Sequence, residues 1–186
     1  TLGADLISVS SHKIHGPKGA GALYVSPRLR SFPPYLYGGG QEGGFRSGTE
    51  ATPAIFGFAA AATVGAATFR EDVAKEKQLL HALVEKLQTV EGLQINGAHD
   101  APHILSLSIP GVPTQNSLNV LQDAGICVSA GSACAKGHRS HTLTAMGLRP
   151  ETMDGSFRIS LCRDTTWEEL EKLAEVIEKD IIGRFL

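Results

Sequence analysis

Cysteine is scarce in this 186-residue sequence and odd in number: Cys127, Cys134 and Cys162 are the three present. A secreted chain of this size that relies on disulfides carries an even set. The count argues against a disulfide framework and for free thiols in a reducing compartment, so a cytoplasmic protein is expected. An excess of charge is also lacking, since 17 Lys+Arg stand against 19 Asp+Glu for a net of −2. Neither nucleic acid nor an anionic membrane surface is expected as a partner. The most apolar stretch, residues 54–67, is rich in Ala and Gly and falls short of the roughly 20 residues that cross a bilayer. No cationic start precedes an apolar core. Internal repeats and low-complexity tracts are missing too. What remains, 42% hydrophobic and 19% charged residues, is ordinary globular composition with enough length for one domain or two small ones.

Glycine is plentiful, with 21 residues, or about 11% against a usual ~7%, and its clusters mark the informative loops. Residues 5–10 read as a strand within six residues of the first, as if the chain were entered in mid-domain. The segment Ser11-His12-Lys13-Ile14-His15-Gly16-Pro17-Lys18-Gly19-Ala20-Gly21 is a loop, and residues 22–25 are a second strand, antiparallel to the first because no helix lies between them. Residues 31–49 form a long loop with Pro33-Pro34, Gly38-Gly39-Gly40, Gly43-Gly44 and Arg46-Ser47-Gly48-Thr49; so long a structureless stretch is usually functional. Residues 53–69 read as a buried Ala-rich helix and 70–88 as a second, with no strong stop between them.

The second half reads β-α-β, loop, β-α. Residues 104–109 alternate, with Leu105, Leu107 and Ile109 on one face. Residues 114–124 are helical up to Gly125. Residues 126–128 form a short strand, and 156–161 alternate again with Phe157, Ile159 and Leu161 inward. Thr166 and Glu169 form a capping box ahead of Leu170, Leu173, Ala174, Ile177 and Ile181 at helical spacing. The fold class is α/β, divided into residues 1–90 and 91–186.

Lys13 follows a strand directly, among Ser10, Ser11 and His12 on one side and glycines on the other. Glycines let backbone amides approach a ligand, Ser and His donate to phosphate oxygens, and a partly desolvated lysine is a Schiff-base nucleophile. A solvated loop lysine is the plainer reading, and Lys18 fits it. Cys134 sits in the small-residue run Ser129-Ala130-Gly131-Ser132-Ala133-Cys134, with Lys136, His138 and Arg139 near enough to favour a thiolate. Cys127 and Cys162 lie in apolar strands and are expected to be buried. Cys134, His138 and His141 could also ring a zinc ion, but no second cysteine pair supports that, and no metal is expected. Arg158, on the polar face of its strand, can fork onto a carboxylate. Arg46 to Thr49 can reach a phosphate or carboxylate.

Together these motifs resemble cysteine desulfurases of the NifS/IscS type, in class V of the aminotransferases. Ser10-Ser11-His12-Lys13-Ile14-His15-Gly16-Pro17-Lys18-Gly19 is similar to their pyridoxal-phosphate lysine motif. Gly38 to Glu42 with Arg46 to Thr49 resembles their glycine loop, Ser129 to Cys134 their cysteine loop, and Phe157 to Leu161 their substrate-carboxylate strand. The motifs stand in family order across nearly the whole chain.

The resemblance implies the C-terminal part of a fold-type-I pyridoxal-phosphate enzyme: the end of the large domain over 1–90 and a small α/β domain over 91–186. It implies that Lys13 bonds pyridoxal 5'-phosphate and later moves the substrate α-proton, and that Ser11 and His12 hold the cofactor phosphate. Thr49 would reach the phosphate in the other subunit of a homodimer, Arg158 would bind the carboxylate of L-cysteine, and Cys134 would become a persulfide as alanine leaves. Sulfur would pass to a scaffold or carrier protein for iron–sulfur cluster assembly or thiolation. The family's chain is about twice as long, and its ring-stacking His, its Asp for the pyridine nitrogen and further phosphate ligands belong to a half not found in this sequence. A selenocysteine lyase, an aminotransferase and a non-catalytic binding module are the alternative readings.

Overall fold

The computed structural model describes residues 2–29, 32–98, 100–130 and 139–186. The chain divides into two compact units, Thr1–Phe69 and Arg70–Leu186. The division falls inside a helix, earlier than the 90/91 boundary expected from the sequence. The reason is that residues 70–87 bury Leu80, Leu83, Val84 and Leu87 in the core of the second unit.

In the first unit, β1 (Leu6–Ser10) and β2 (Gly21–Val25) pair antiparallel, Leu6 opposite Val25 and Ser10 opposite Gly21. Helix α1 (Thr52–Leu87) starts here and runs unbroken for 36 residues, as the lack of a stop signal at 69–70 allows. Its Ala-rich first half was expected to be buried, yet no residue of 52–69 is. The expectation that no segment is long enough to cross a bilayer is corrected as well. Residues 51–69 carry no charge, and α1 holds an 18-residue window of mean hydropathy 1.4, none of it buried, so by length and composition it can span a membrane.

In the second unit β3 (Gln94–Asn96), β4 (Ile104–Ser108) and β5 (Ser156–Ser160) form an antiparallel sheet in that order. Leu105 faces Ile159 and Leu107 faces Phe157 across the β4–β5 ladder, and all four side chains are buried. They join Ile109, Leu121 and Leu161 with the second half of α1, with α2 (Thr114–Asp123) and with α5 (Trp167–Val176) in one core. The other face of the sheet is polar. Ser106 stands opposite Arg158, and Asn96 Nδ2 donates to Ser106 Oγ and Ser108 Oγ at 3.2 and 2.8 Å.

Two short helices, α3 (His141–Ala145) and α4 (Pro150–Asp154), precede β5. The strand expected over 126–128 does not form; only Ser129 bridges to Arg158. Helix α5 opens on the expected capping box, Glu169 N–H donating to Thr166 Oγ1 at 3.3 Å and Thr166 N–H to Glu169 Oε2 at 3.0 Å. It continues through a π-helical turn (Ile177–Ile182) that buries Ile177 and Ile181 into a last turn, α6 (Gly183–Phe185). Thr166→Ala removes one half of the box, and the expected result is a loss of about 1 kcal/mol in denaturant unfolding of the second unit.

Candidate active site

At the end of β1 the chain turns through one 3₁₀ turn, Ser11–Ile14, whose C-terminal cap His15 is left-handed at φ 65°. A non-glycine residue there costs conformational energy and recurs at functional sites. The base of the loop is closed by Ser11 N–H on Ala20 O and Gly16 N–H on Ser11 O, both at 3.0 Å. Gly16 packs closely on Ser11: a Cβ there would meet Ser11 Oγ, which would have to rotate, and would come within 3.1 Å of Ser11 O. The result is a tightly wound turn with His12 and Lys13 side by side on its exposed rim.

Ser11 is one of the two residues of this turn expected to hold the cofactor phosphate. It is fully buried against Gly16, and its Oγ has no partner among the described residues. Behind the turn lies the first half of α1. Gly57 meets Pro17, where a Cβ would come within 3.0 Å of the ring, and Ala61 meets Gly16. This close approach gives the small residues of the helix a physical role: a larger side chain at 57 would push the lysine turn away.

The glycine loop is more ordered than its composition implies. Gln41–Gly44 makes a kinked turn in which Glu42, Gly43 and Gly44 all have positive φ, at 52°, 63° and 83°. Ser47 Oγ donates to Gly39 O at 3.0 Å, Gly48 N–H to Gln41 Oε1 at 3.3 Å, and Arg46 Nη1 to Gly48 O at 3.2 Å. Thr49, exposed, follows directly. Arg46 is thus engaged with its own loop.

In the second unit Arg158 is held by its backbone. Its N–H donates to Ser129 O at 2.7 Å and its carbonyl accepts from Ser129 N–H at 3.0 Å. Its side chain is half-buried, with Nε enclosed and without a partner among the described residues. An unmet guanidinium donor on a polar sheet face suits a carboxylate. Ser129 leads straight into residues 131–138, and Cys134, with Lys136 and His138, lies outside the described residues. Cys127 is exposed, contrary to the expected burial, because its segment forms no strand; Cys162 is half-buried, with Thr165 Oγ1 donating to its Sγ at 3.7 Å.

One ion pair in this unit was not anticipated from the sequence. Arg139 forks onto Asp154, Nε to Oδ1 at 2.8 Å and Nη2 to Oδ2 at 2.7 Å. Arg139 is one of the residues read as near enough in sequence to favour the Cys134 thiolate, and its guanidinium is paired with Asp154. The hydrogen bond from Arg139 holds the Asp154 carboxyl below its ordinary value, and Asp154 raises Arg139. A lowered carboxylate value means stability that is present above the unfolded range and lost as pH falls through the folded value. Asp154→Asn is therefore expected to lower the unfolding midpoint modestly at pH 7, as exposed pairs do. The gap from wild type should close on acidification below about pH 4.

Residues 1–173 match the family model of class-V aminotransferases. The chain belongs to the class-V aminotransferase family. It is 39% identical to a cysteine desulfurase of Nostoc sp. over 178 residues, covering 93% of this chain and 44% of that protein. It is 36% identical over 180 residues to cysteine desulfurase IscS 1 of Archaeoglobus fulgidus, covering 95% of this chain and 47% of that one. A solved NifS-like protein superposes with a TM-score of 0.85 at 35% identity, over 100% of this chain and 48% of its own. A NifS-like protein from Rickettsia africae gives 0.84 at 35% identity, over 96% and 48%. The chain spans about half the length of the curated relatives it matches. These class-V neighbours share fold type I and depend on pyridoxal phosphate, so the expected fold class and cofactor class hold.

The residues present fit that cofactor by their chemistry. The lysine turn offers a primary amine and an imidazole on one rim, above an unpartnered hydroxyl, Ser11 Oγ. An amine suits the cofactor's aldehyde, and the other two groups are donors for its phosphate.

Proposed function

We propose that this chain carries the lysine, cysteine and arginine of a cysteine desulfurase, an enzyme that converts L-cysteine to L-alanine and retains the sulfur as a persulfide. The observation that carries the reading is the lysine turn, with His12 and Lys13 exposed together at the end of β1. It occurs in a chain whose relatives named cysteine desulfurase match it over more than nine-tenths of its length. Pyridoxal phosphate, when bound, supplies the electron sink for chemistry at the substrate's α-carbon.

Each residue has one task in this reading. Lys13 holds the cofactor covalently and afterwards moves the α-proton. His12 and Thr49 donate to the phosphate, and Ser11 Oγ joins them on rotating away from Gly16. Arg158 forks onto the substrate carboxylate and orients the sulfur. Cys134, as thiolate, attacks that sulfur: an S–S bond forms, the substrate's C–S bond breaks, and its electron pair stays on carbon, which takes up a proton. Alanine and a Cys134 persulfide result, with no outside oxidant or reductant. A homodimer, in which Thr49 serves the other subunit's cofactor, belongs to the same proposal. So do a scaffold or carrier protein that takes the sulfur for iron–sulfur cluster assembly or thiolation, and a cytoplasmic setting in keeping with three sparse thiols.

The test is Cys134→Ala in the protein that carries both halves of the fold. Sulfide and persulfide formation from L-cysteine is expected to fall about a thousandfold or more, while the cofactor's absorbance stays. An unchanged rate would sink the persulfide step at Cys134.

A further inference from the structure

The sheet of the second unit has two buried faces of opposite character. One holds Leu105, Leu107, Phe157 and Ile159 in the core. The other is polar, and it is enclosed as well: Asn96 is 5% exposed, and Ser108 and Ser156 are buried. Apolar residues of the same shape would be neutral or stabilising in such a place, so a buried polar face that persists calls for a use. Two of its atoms are enclosed and without a partner among the described residues, the acceptor Asn96 Oδ1 and the donor Arg158 Nε.

The strand register sets these groups in one line across the sheet. Asn96 stands opposite Ser106, Ser106 opposite Arg158, and Arg158 opposite Ser129. Directly opposed residues share a face with Cβ atoms about 4.5–5.5 Å apart, so Ser106 is the side chain between Asn96 and Arg158. Asn96 uses both amide hydrogens, one on Ser106 Oγ at 3.2 Å and one on Ser108 Oγ at 2.8 Å. That clamp fixes where Ser106 Oγ stands. A serine hydroxyl has two acceptor sites. The bond from Asn96 fills one of them and leaves the other for an N–H.

We infer that Ser106 and Asn96 are positioning residues for Arg158. Ser106 Oγ accepts from Arg158 Nε, and Asn96 holds Ser106 Oγ in place. An enclosed Nε can meet only what packs beside it, so the Nη1 and Nη2 groups are left to grip the carboxylate of an amino acid with two parallel bonds. A guanidinium on a free stem loses rotamer freedom when it takes a ligand, whereas one already fixed does not. The row therefore raises affinity for the carboxylate without touching it. This role rests on the reading of Arg158 as the residue that binds the substrate carboxylate.

The experiment measures binding of L-alanine, and of L-alaninamide, which lacks the carboxylate, by calorimetry on the protein that carries both halves of the fold. Ser106→Ala is expected to weaken L-alanine by about tenfold or more and to leave L-alaninamide within about twofold. Asn96→Ala is expected to act in the same direction by a smaller factor, because it acts through Ser106. Ser106→Thr keeps a hydroxyl on the strand and is expected to restore the parent's affinity for L-alanine. Equal losses for the two ligands would make Ser106 a packing residue and overturn the proposal. So would unchanged L-alanine binding in either alanine variant, or a threonine that fails to rescue. A parent that does not bind L-alanine removes the role of Arg158 and the proposal with it. Failure of the persulfide step alone shows in Cys134→Ala and leaves L-alanine binding intact, so the two failures are distinguishable.

Discussion

Lys13→Ala, in the protein that carries both halves of the fold, is expected to lower alanine formation from L-cysteine by about four orders of magnitude, or about 5.4 kcal/mol of transition-state stabilisation. The size of the effect follows from the turn. Lys13 is the one amine on the Ser11–Ile14 turn, and closure of the loop on Ala20 and Gly16 fixes where that turn points. No other side chain on the turn can bond an aldehyde and then carry a proton, so the loss falls on both covalent attachment and proton transfer. Lys18 provides the control. It is exposed in the same loop, outside the turn, and Lys18→Ala is expected to leave the rate within about twofold. Parallel steady-state assays of the two variants check this. Equal losses would mean that the loop needs positive charge rather than a nucleophile in one place.

The largest expected effect on stability lies at Phe157, which is 1% exposed and faces Leu107 across β4–β5. Truncation there removes the transfer energy of a ring and leaves a cavity in the core that also holds Leu105, Ile109, Leu121 and Ile177, all fully enclosed. Phe157→Ala is expected to cost about 3–5 kcal/mol. The same chemical change at Phe56, exposed on α1, is expected to cost about 0.5 kcal/mol or less in the chain alone. Denaturant midpoints of the two variants measure the contrast directly. A Phe157→Ala protein as stable as its parent would show that the core is not where the structure puts it.

What the sequence made legible was local. The capping box of Thr166 and Glu169 is a four-residue pattern, and it forms as read. Alternation in 104–109 and 156–161 needs only the two-residue period of a strand, and Leu105, Leu107, Ile109, Phe157, Ile159 and Leu161 are all buried. The lysine loop was legible because Gly and Pro punctuate it. Its interior was not, since the enclosure of Ser11 depends on Gly16, five residues on, folding back over it.

The missed features depend on partners distant in sequence. Gln94–Asn96 is too short to show a period of its own and becomes a strand by pairing with Ser106–Ser108. Residues 126–128 looked like a strand and are not one, because only Ser129 finds a partner. The Arg139–Asp154 fork joins residues fifteen apart across two short helices. Those helices did carry local signals, Ser140 as a cap and Pro150 in the first turn, that could have been read. Composition suggested burial for the Ala-rich half of α1, but burial needs a covering surface, and none of the described residues encloses 52–69.

The central claim is that Lys13 is the residue that bonds the cofactor. The most direct test is borohydride reduction in the presence of pyridoxal phosphate, followed by peptide mapping, on the protein with both halves of the fold. The account predicts one stoichiometric, reduction-dependent pyridoxyl label on the peptide containing Lys13, and none after Lys13→Ala. A label on Lys18 or any other lysine at the same stoichiometry, or no label at all, would contradict it.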